Sequence, residues 1–254
     1  MKKAMKAAVV VAGIAVLFGS VNMPEAAANK VVSKSSQTAV KTSAVDKKAF
    51  EAAKAEISKK LAQKNPGDLY ILYVRDKALN GGSEFMNYMN LLQFKTYEDY
   101  LNQAAKLKGP TLTMPKALPE GYKFVKGNIQ PPLIKYLAQY QKEVKAEAAA
   151  QRKGVHYKKF DWKEFGEINL HFANGKDNLQ MQVAYYVGKD KGNGGYNYHT
   201  AGEFDAEMAK KHPEFVSNTL SWSDQYYIYN ITTNPGNPLT KEELIKLAET
   251  AVKK

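Results

Sequence analysis

Apolar residues follow helical spacing near the start, middle and end of this chain, and strict alternation in between. Phe50, Ala53, Ile57 and Leu61 recur at intervals of three and four, which predicts an amphipathic helix over 46–64. Asp46 stands at its N-cap position, Glu56 and Lys60 form an i,i+4 pair on the wet side, and Asn65-Pro66-Gly67-Asp68 ends it with turn chemistry. Residues 69–75 (LYILYVR) are β-rich and bounded by turns, the mark of a buried strand, and Asn80-Gly81-Gly82-Ser83 is a loop. Tyr97, Tyr100, Leu101 and Ala104 share one side of a second helix over 97–107, closed by Gly109-Pro110, and a strand is expected near 122–129. Pro131-Pro132 opens a helical insertion, 131–154. Its helix over 133–153 carries Leu133, Tyr136, Leu137, Tyr140 and Val144 as an apolar stripe and takes Gly154 as C-cap. The stripe suits packing against the domain, and half-exposed tyrosines would equally serve a partner.

Beyond residue 166 the pattern changes to alternation. In EINLHF, Ile168, Leu170 and Phe172 point to one face and Asn169 and His171 to the other; Asn174-Gly175 signals a hairpin, and Leu179, Met181, Val183, Tyr185 and Val187 answer on the returning strand. Residues 189–195 form a loop tip. A second hairpin is expected from 215–222 and 225–233 around Ser223-Asp224. Thr240 with Glu243 three residues on is a capping box, and Leu244, Leu247, Ala248, Ala251 and Val252 give the closing helix a stripe to dock on the sheet. Antiparallel hairpins with helices before and after them predict an α+β fold, a single domain over 65–254.

Residues 1–28 change the picture of where this domain works. Lys2, Lys3 and Lys6, an apolar run over 7–18 and Ala26-Ala27-Ala28 have the order of a secretory signal peptide, and the run is shorter than the roughly 20 residues a spanning helix needs. The expectation is therefore a secreted or cell-wall-associated protein with no membrane span after cleavage. Residues 29–45 lack aromatics and lasting periodicity and are expected to be a flexible basic lead-in. The whole chain has 37 basic and 25 acidic residues, a formal +12; the part from Asn29 keeps 34 and 24 of them. Half of that surplus lies in 29–60, where eight lysines face three acids, either as a solvated tail or as a tether to phosphate-bearing wall polymers.

Chemistry-bearing motifs are sparse. The absence of cysteine removes disulfides, thiolate metal sites and thiol nucleophiles. His156, His171, His199 and His212 show no metal-binding spacing, and no serine sits in a nucleophile motif. Glu167, Asn169 and His171 share one strand face, which reads as solvated or as a loose cation site. Gly192-Asn193-Gly194-Gly195 lacks the ending of a phosphate loop. Neither a catalytic residue nor a cofactor or metal site is assigned. The aromatic clustering stands out: Tyr186, Trp222, Tyr227 and Tyr229 fall in a short stretch with Tyr185, Tyr196, Tyr198 and Tyr226. They read as sheet packing or as a stacking platform for sugar or peptide, with Tyr227 and Tyr229 lining its groove.

Two stretches carry a resemblance. LPEGYKF (118–124), preceded by Thr113-Met114-Pro115, and LSWSDQYYIYNITTNPGNPLTKEELIKLAETAV (220–252) resemble a Bacillales domain of unknown function at the extracytoplasmic end of anti-sigma-factor-like and other exported proteins. The resemblance covers about 94–254. It implies a curved antiparallel sheet cradling helices, similar to lipoprotein-carrier and sigma-regulator half-barrels, and brings no catalytic residues. This chain departs from it by lacking a cytoplasmic zinc-binding domain and by carrying the insertion at 131–154. The function expected is non-enzymatic binding of an envelope component: anionic wall polymers or an envelope protein, without physiological nucleic acid. The alternatives are a carrier or sensor of an apolar ligand or peptide, and a hydrolase using dispersed acids and histidines.

Overall fold

The computed structural model of this chain describes residues 44–63, 66–186 and 195–253. The signal peptide, all but the last two residues of the lead-in, and most of the loop tip lie outside them. In chain order the elements are α1 (Ala44–Ala62), β1 (Leu69–Val74), β2 (Phe85–Met89), β3 (Leu92–Phe94), α2 (Tyr97–Ala104), β4 (Thr111–Leu112), β5 (Lys123–Gln130), α3 (Leu133–Ala150) and β6 (Val155–Lys159). Then come β7 (Glu167–Asn174), β8 (Asp177–Tyr185), β9 (Asn197–His199), α4 (Ala206–Lys211), β10 (Asn218–Ser223), β11 (Tyr227–Thr233), α5 (Lys241–Ala251) and β12 (Val252–Lys253). The α+β expectation holds, with antiparallel strand pairing throughout the named sheets.

The run LYILYV is buried at all six positions because β1 is covered on both faces. It is the middle strand of a three-stranded sheet, between β2 and β6. Tyr70, Leu72 and Val74 face Phe50, Ala53 and Ile57 of α1, while Leu69, Ile71 and Tyr73 face Tyr140, Val144 and Ala148 of α3. Helix α3 thus covers this sheet on the side opposite α1, and its apolar stripe is packing. The predicted Glu56–Lys60 pair is present at 3.2 Å.

The larger sheet has seven strands in the order β3-β5-β7-β8-β11-β10-β9. Ile168, Leu170 and Phe172 point to one face as their alternation requires, with Leu179, Met181, Val183, Leu220 and Ile231 beside them. Tyr100 and Ala104 of α2 and Leu244, Leu247, Ala248 and Ala251 of α5 close this core. The predicted capping box is formed: Thr240 Oγ1 accepts from the Glu243 amide at 3.3 Å and Glu243 Oε2 from the Thr240 amide at 2.7 Å.

Several expectations are corrected. Helix α1 begins at Ala44, so Asp46 lies in its first turn, where its carboxylate accepts from Arg75 Nη2 at 3.2 Å. Helix α3 ends at Ala150, and the left-handed residue that closes it is Arg152 (φ 53°), not Gly154. The Arg152 amide donates to Ala149 O at 3.0 Å and the Lys153 amide to Ala148 O at 2.9 Å, the bond pair of a Schellman closure. A left-handed backbone costs a side-chain-bearing residue roughly 1–2 kcal/mol, which is why glycine is usual there. Gly154 serves a different need: a Cβ there would run into the Asp46 carboxylate. Strands β2 and β3 escaped the sequence reading because FMNYM is half-buried without a one-sided pattern and LQF is only three residues long. The strand expected from 215 begins at Asn218, since Pro213 opens a 3-10 turn over Pro213–Phe215.

Candidate functional site

The four aromatic residues singled out from the sequence do not form an open platform. Tyr229 and Ile231 share the face of Leu220 and Met181, so Tyr229 is core, 2% exposed, with its ring stacked on Trp222 at 5.2 Å and 11°. Its hydroxyl donates to Asp224 Oδ2 at 2.8 Å, and burial together with that carboxylate raises its pKa. Tyr227 lies on the same side, 6.5 Å from Tyr229 and 5.5 Å from Phe165. Trp222 is half-buried, with the Tyr196 ring 5.7 Å from it. Tyr186 stands apart, one residue beyond β8, its amide donating to Tyr226 O at 2.8 Å. The core reading therefore holds for Tyr229, and the groove-lining reading fails for it. The exposed aromatic of this hairpin is Tyr226, at 54%.

The end of the aromatic group carries an ion pair. Lys135 Nζ donates to Glu164 Oε2, which also accepts from Tyr136 Oη at 2.9 Å, and the Lys135 ammonium lies 5.1 Å from the Tyr185 ring centre. The bonded ammonium holds the Glu164 carboxyl below the usual range. This cluster ties α3 to the segment before β7.

The other face of the seven-stranded sheet is built differently, and its pattern comes from register. Gln93, Asn128, Asn169, Gln182, Asn230, Ser221 and Asn197 stand opposite one another strand by strand, one uncharged polar side chain from each of the seven strands. A second row beside it holds Lys126, His171, Gln180, Thr232, Thr219 and His199. Period-two alternation puts both rows on the side away from the core. Asn169, expected on a solvated face, is 0% exposed, because its neighbours in these rows close over it. Its amide donates to Asn128 Oδ1 at 3.4 Å and to Glu167 Oε1, and its carbonyl accepts from Gln180 Nε2 at 3.0 Å. Asn230 Nδ2 donates to Gln182 Oε1 at 2.8 Å, and the Thr219 and Thr232 hydroxyls are 3.4 Å apart. Gln182, Asn230, Gln180, Thr219 and Thr232 are half-buried, and Gln93 and Asn197 are exposed at the two edges.

A groove of about 550 Å³ opens over the second row, between Lys126, His171, Gln180 and Thr232 on the sheet and Glu214 and Ser217 on the segment before β10. Burial, with Lys126 adding repulsion, pushes the His171 imidazole down to about 4, so it is neutral near pH 7. Glu167, Asn169 and His171 do not make a cation site: Glu167 and the Asn169 amide are bonded to each other, and the Asn169 carbonyl is taken by Gln180. Among the described residues no group of three or more His, Asp or Glu side chains is placed to share a metal ion.

Sequence reasoning missed these rows although part of the signal was legible. Five of the seven strands carry the same local phrase, a polar residue between two residues of the core side: Leu92-Gln93-Phe94, Ile168-Asn169-Leu170, Met181-Gln182-Val183, Leu220-Ser221-Trp222, Tyr229-Asn230-Ile231. What the sequence lacks is the register that brings these phrases into one line. The face as a whole offers hydrogen-bond donors and acceptors side by side, with little charge and a groove along it. In comparisons with known proteins, the chain matches no family model, no curated protein and no solved structure.

Proposed function

We propose that this is an exported, non-enzymatic protein that binds a cell-envelope glycan across the polar face of its seven-stranded sheet. The observation that carries this reading is the row of amides and a hydroxyl contributed by every strand of that sheet. Amides present donors and acceptors together, as the hydroxyls of a sugar chain require, and a sheet-wide row supplies them at the regular strand spacing of about 4.8 Å. The basic surplus of the chain favours an acidic polymer as the bearer of that glycan. Export is supported by the basic, apolar and small-residue order of residues 1–28 and by the resemblance of 94–254 to extracytoplasmic domains. An apolar cargo suits the polar row poorly, since it would take out of water those donors and acceptors of Gln180, Gln182 and Asn230 that the bonds within the row leave over.

Sedimentation of the chain begun at Asn29 with purified cell walls, at about 0.05 M and about 0.5 M salt, tests the proposal. Binding is expected to persist at high salt, and to weaken roughly tenfold when Gln182 and Asn230 are both replaced by Ala, the equivalent of about 1.4 kcal/mol. A partner variant with Lys30, Lys34 and Lys41 changed to Gln should lose only the salt-sensitive part. No sedimentation at low salt, or binding indifferent to the Gln182/Asn230 change, refutes the reading.

A further inference from the structure

A pocket of about 350 Å³ opens elsewhere on the molecule, where the end of β1 meets the end of α3. Its lining is Arg75, Lys145, Arg152 and Lys153 around Tyr73 and two alanines of α3. The chain has two arginines among its 37 basic residues, and both of them are here. We propose that this pocket binds a phosphate ester, an inference that goes beyond the glycan reading and does not depend on it.

Three observations favour a ligand over ordinary surface charge. The first is a charge imbalance. Lys145 Nζ bonds both Glu84 oxygens at 2.9 and 3.1 Å, and Arg75 pairs with Asp46, but Arg152 and Lys153 make no ion pair among the described residues. Four cations against two carboxylates leave the pocket short of about two negative charges, which a phosphate monoester supplies. The second is backbone strain. Arg152 holds a left-handed conformation that glycine would adopt freely, so a guanidinium is kept at a place where the backbone disfavours any side chain. The third removes the ordinary role for cations at a helix C-terminus. The last carbonyls of α3 already accept from backbone amides, Glu147 from Gln151, Ala149 from Arg152 and Ala148 from Lys153, so they do not call for cationic side chains.

The chemistry of the lining fits the ester as a whole. Arginine presents a planar fork that matches two phosphate oxygens at once, whereas the many lysines elsewhere are single-point donors. The Tyr73 ring, with Lys145 Nζ 5.7 Å from its centre, and the adjoining alanines give the organic part an apolar surface. The volume suits a phosphate on a three-carbon or sugar unit. Such a group occurs as a free monoester or as the repeat of a phosphodiester polymer, and the test separates the two.

Calorimetric titration of the chain begun at Asn29 with glycerol 3-phosphate, and separately with soluble poly(glycerol phosphate), at about 0.1 M salt is the experiment. Binding of the monoester marks a monoester site, and binding of the polymer alone marks a diester site; either supports the proposal. Arg152→Gly is expected to weaken binding at least tenfold while raising the melting temperature, a combination that a purely structural role would not give. Arg152→Lys, which keeps the charge and loses the fork, should fall between. Gln182→Ala/Asn230→Ala should bind phosphate normally, which keeps this site distinct from the sheet face. The proposal is overturned if neither probe binds at millimolar concentration, or if Arg152→Gly binds like the parent. It is also overturned if neutralising the distant Lys241 weakens binding as much as Arg152→Gly.

Discussion

Replacing Asn169 with Ala is the sharpest test of the polar row, because the side chain is fully buried and makes three hydrogen bonds. The bond to Asn128 is long at 3.4 Å and contributes little; that from Gln180 at 3.0 Å is an ordinary neutral bond, worth about 1 kcal/mol net. The bond to the Glu167 carboxylate is charge-assisted and worth roughly 1.5–3 kcal/mol. Asn128, itself 4% exposed, is then left short of a partner. The sum is a loss of about 3 kcal/mol. Gln182→Ala removes one bond, to Asn230, between two half-buried side chains that can turn to water, so it should cost under about 1 kcal/mol. Urea unfolding followed by tryptophan fluorescence measures both. With a slope of roughly 1–3 kcal/mol/M, the Asn169 midpoint should fall by at least about 1 M. Asn169→Leu, which fills the space but strands Gln180 and Glu167, should be no better than Ala. Equal losses at 169 and 182, or full stability with Leu, would refute the bonded ladder and leave a row of independently solvated amides.

Two further outcomes concern buried groups. His171 binds its proton near pH 6.5 when unfolded and near 4 when folded, so stability is complete above about 6.5 and declines as pH falls towards 4. A full shift would amount to about 3 kcal/mol, discounted to roughly 2 for the part of the ring that water reaches, and His171→Gln should flatten the slope of urea midpoints between pH 7 and 4; an unchanged slope assigns it to other groups. Gly109 has φ 113°, and a Cβ there would sit 2.9 Å from both the Phe165 ring and the Tyr227 hydroxyl. Gly109→Ala should therefore lose about 2–4 kcal/mol in thermal unfolding, and a loss under about 1 would mean the rings yield freely.

The sequence made some elements plain because one physical signal acted alone. The run 69–74 could only be a strand buried on both faces, and Thr240 with Glu243 announced α5 without help from the rest of the molecule. The aromatic group was visible as composition, yet its orientation turned on which neighbours share a face. Ile231 next but one to Tyr229 was the clue that this tyrosine belongs with the core. Arg152 in place of Gly154 as the left-handed residue was beyond local rules, since Asp46, more than a hundred residues earlier, claims the space a Cβ at 154 would fill. The polar rows needed six pairings at once, and register is a property of the assembled sheet. The basic pocket drew on two segments far apart in the chain, of which only the scarcity of arginine showed in the sequence.

The central position of β1 has a consequence for the order of events as the chain is made. Its register with β2 starts at Tyr73 with Phe85, twelve residues on, whereas its register with β6 joins Val74 to Val155. Closing the longer loop costs about 1.6 kcal/mol more than closing the shorter one, at ~0.6 kcal/mol per doubling of length. The intervening stretch also has to leave for β3 and β5 of the other sheet before it returns as α3 and β6. Six consecutive apolar residues therefore wait with one edge unpaired and one face bare, held in check by α1 on the other face and by the charges of Asp68 and Arg75 at the two ends. An emerging chain of this design is most prone to self-association between the synthesis of residue 75 and that of residue 159, and a holding factor would be needed most in that interval.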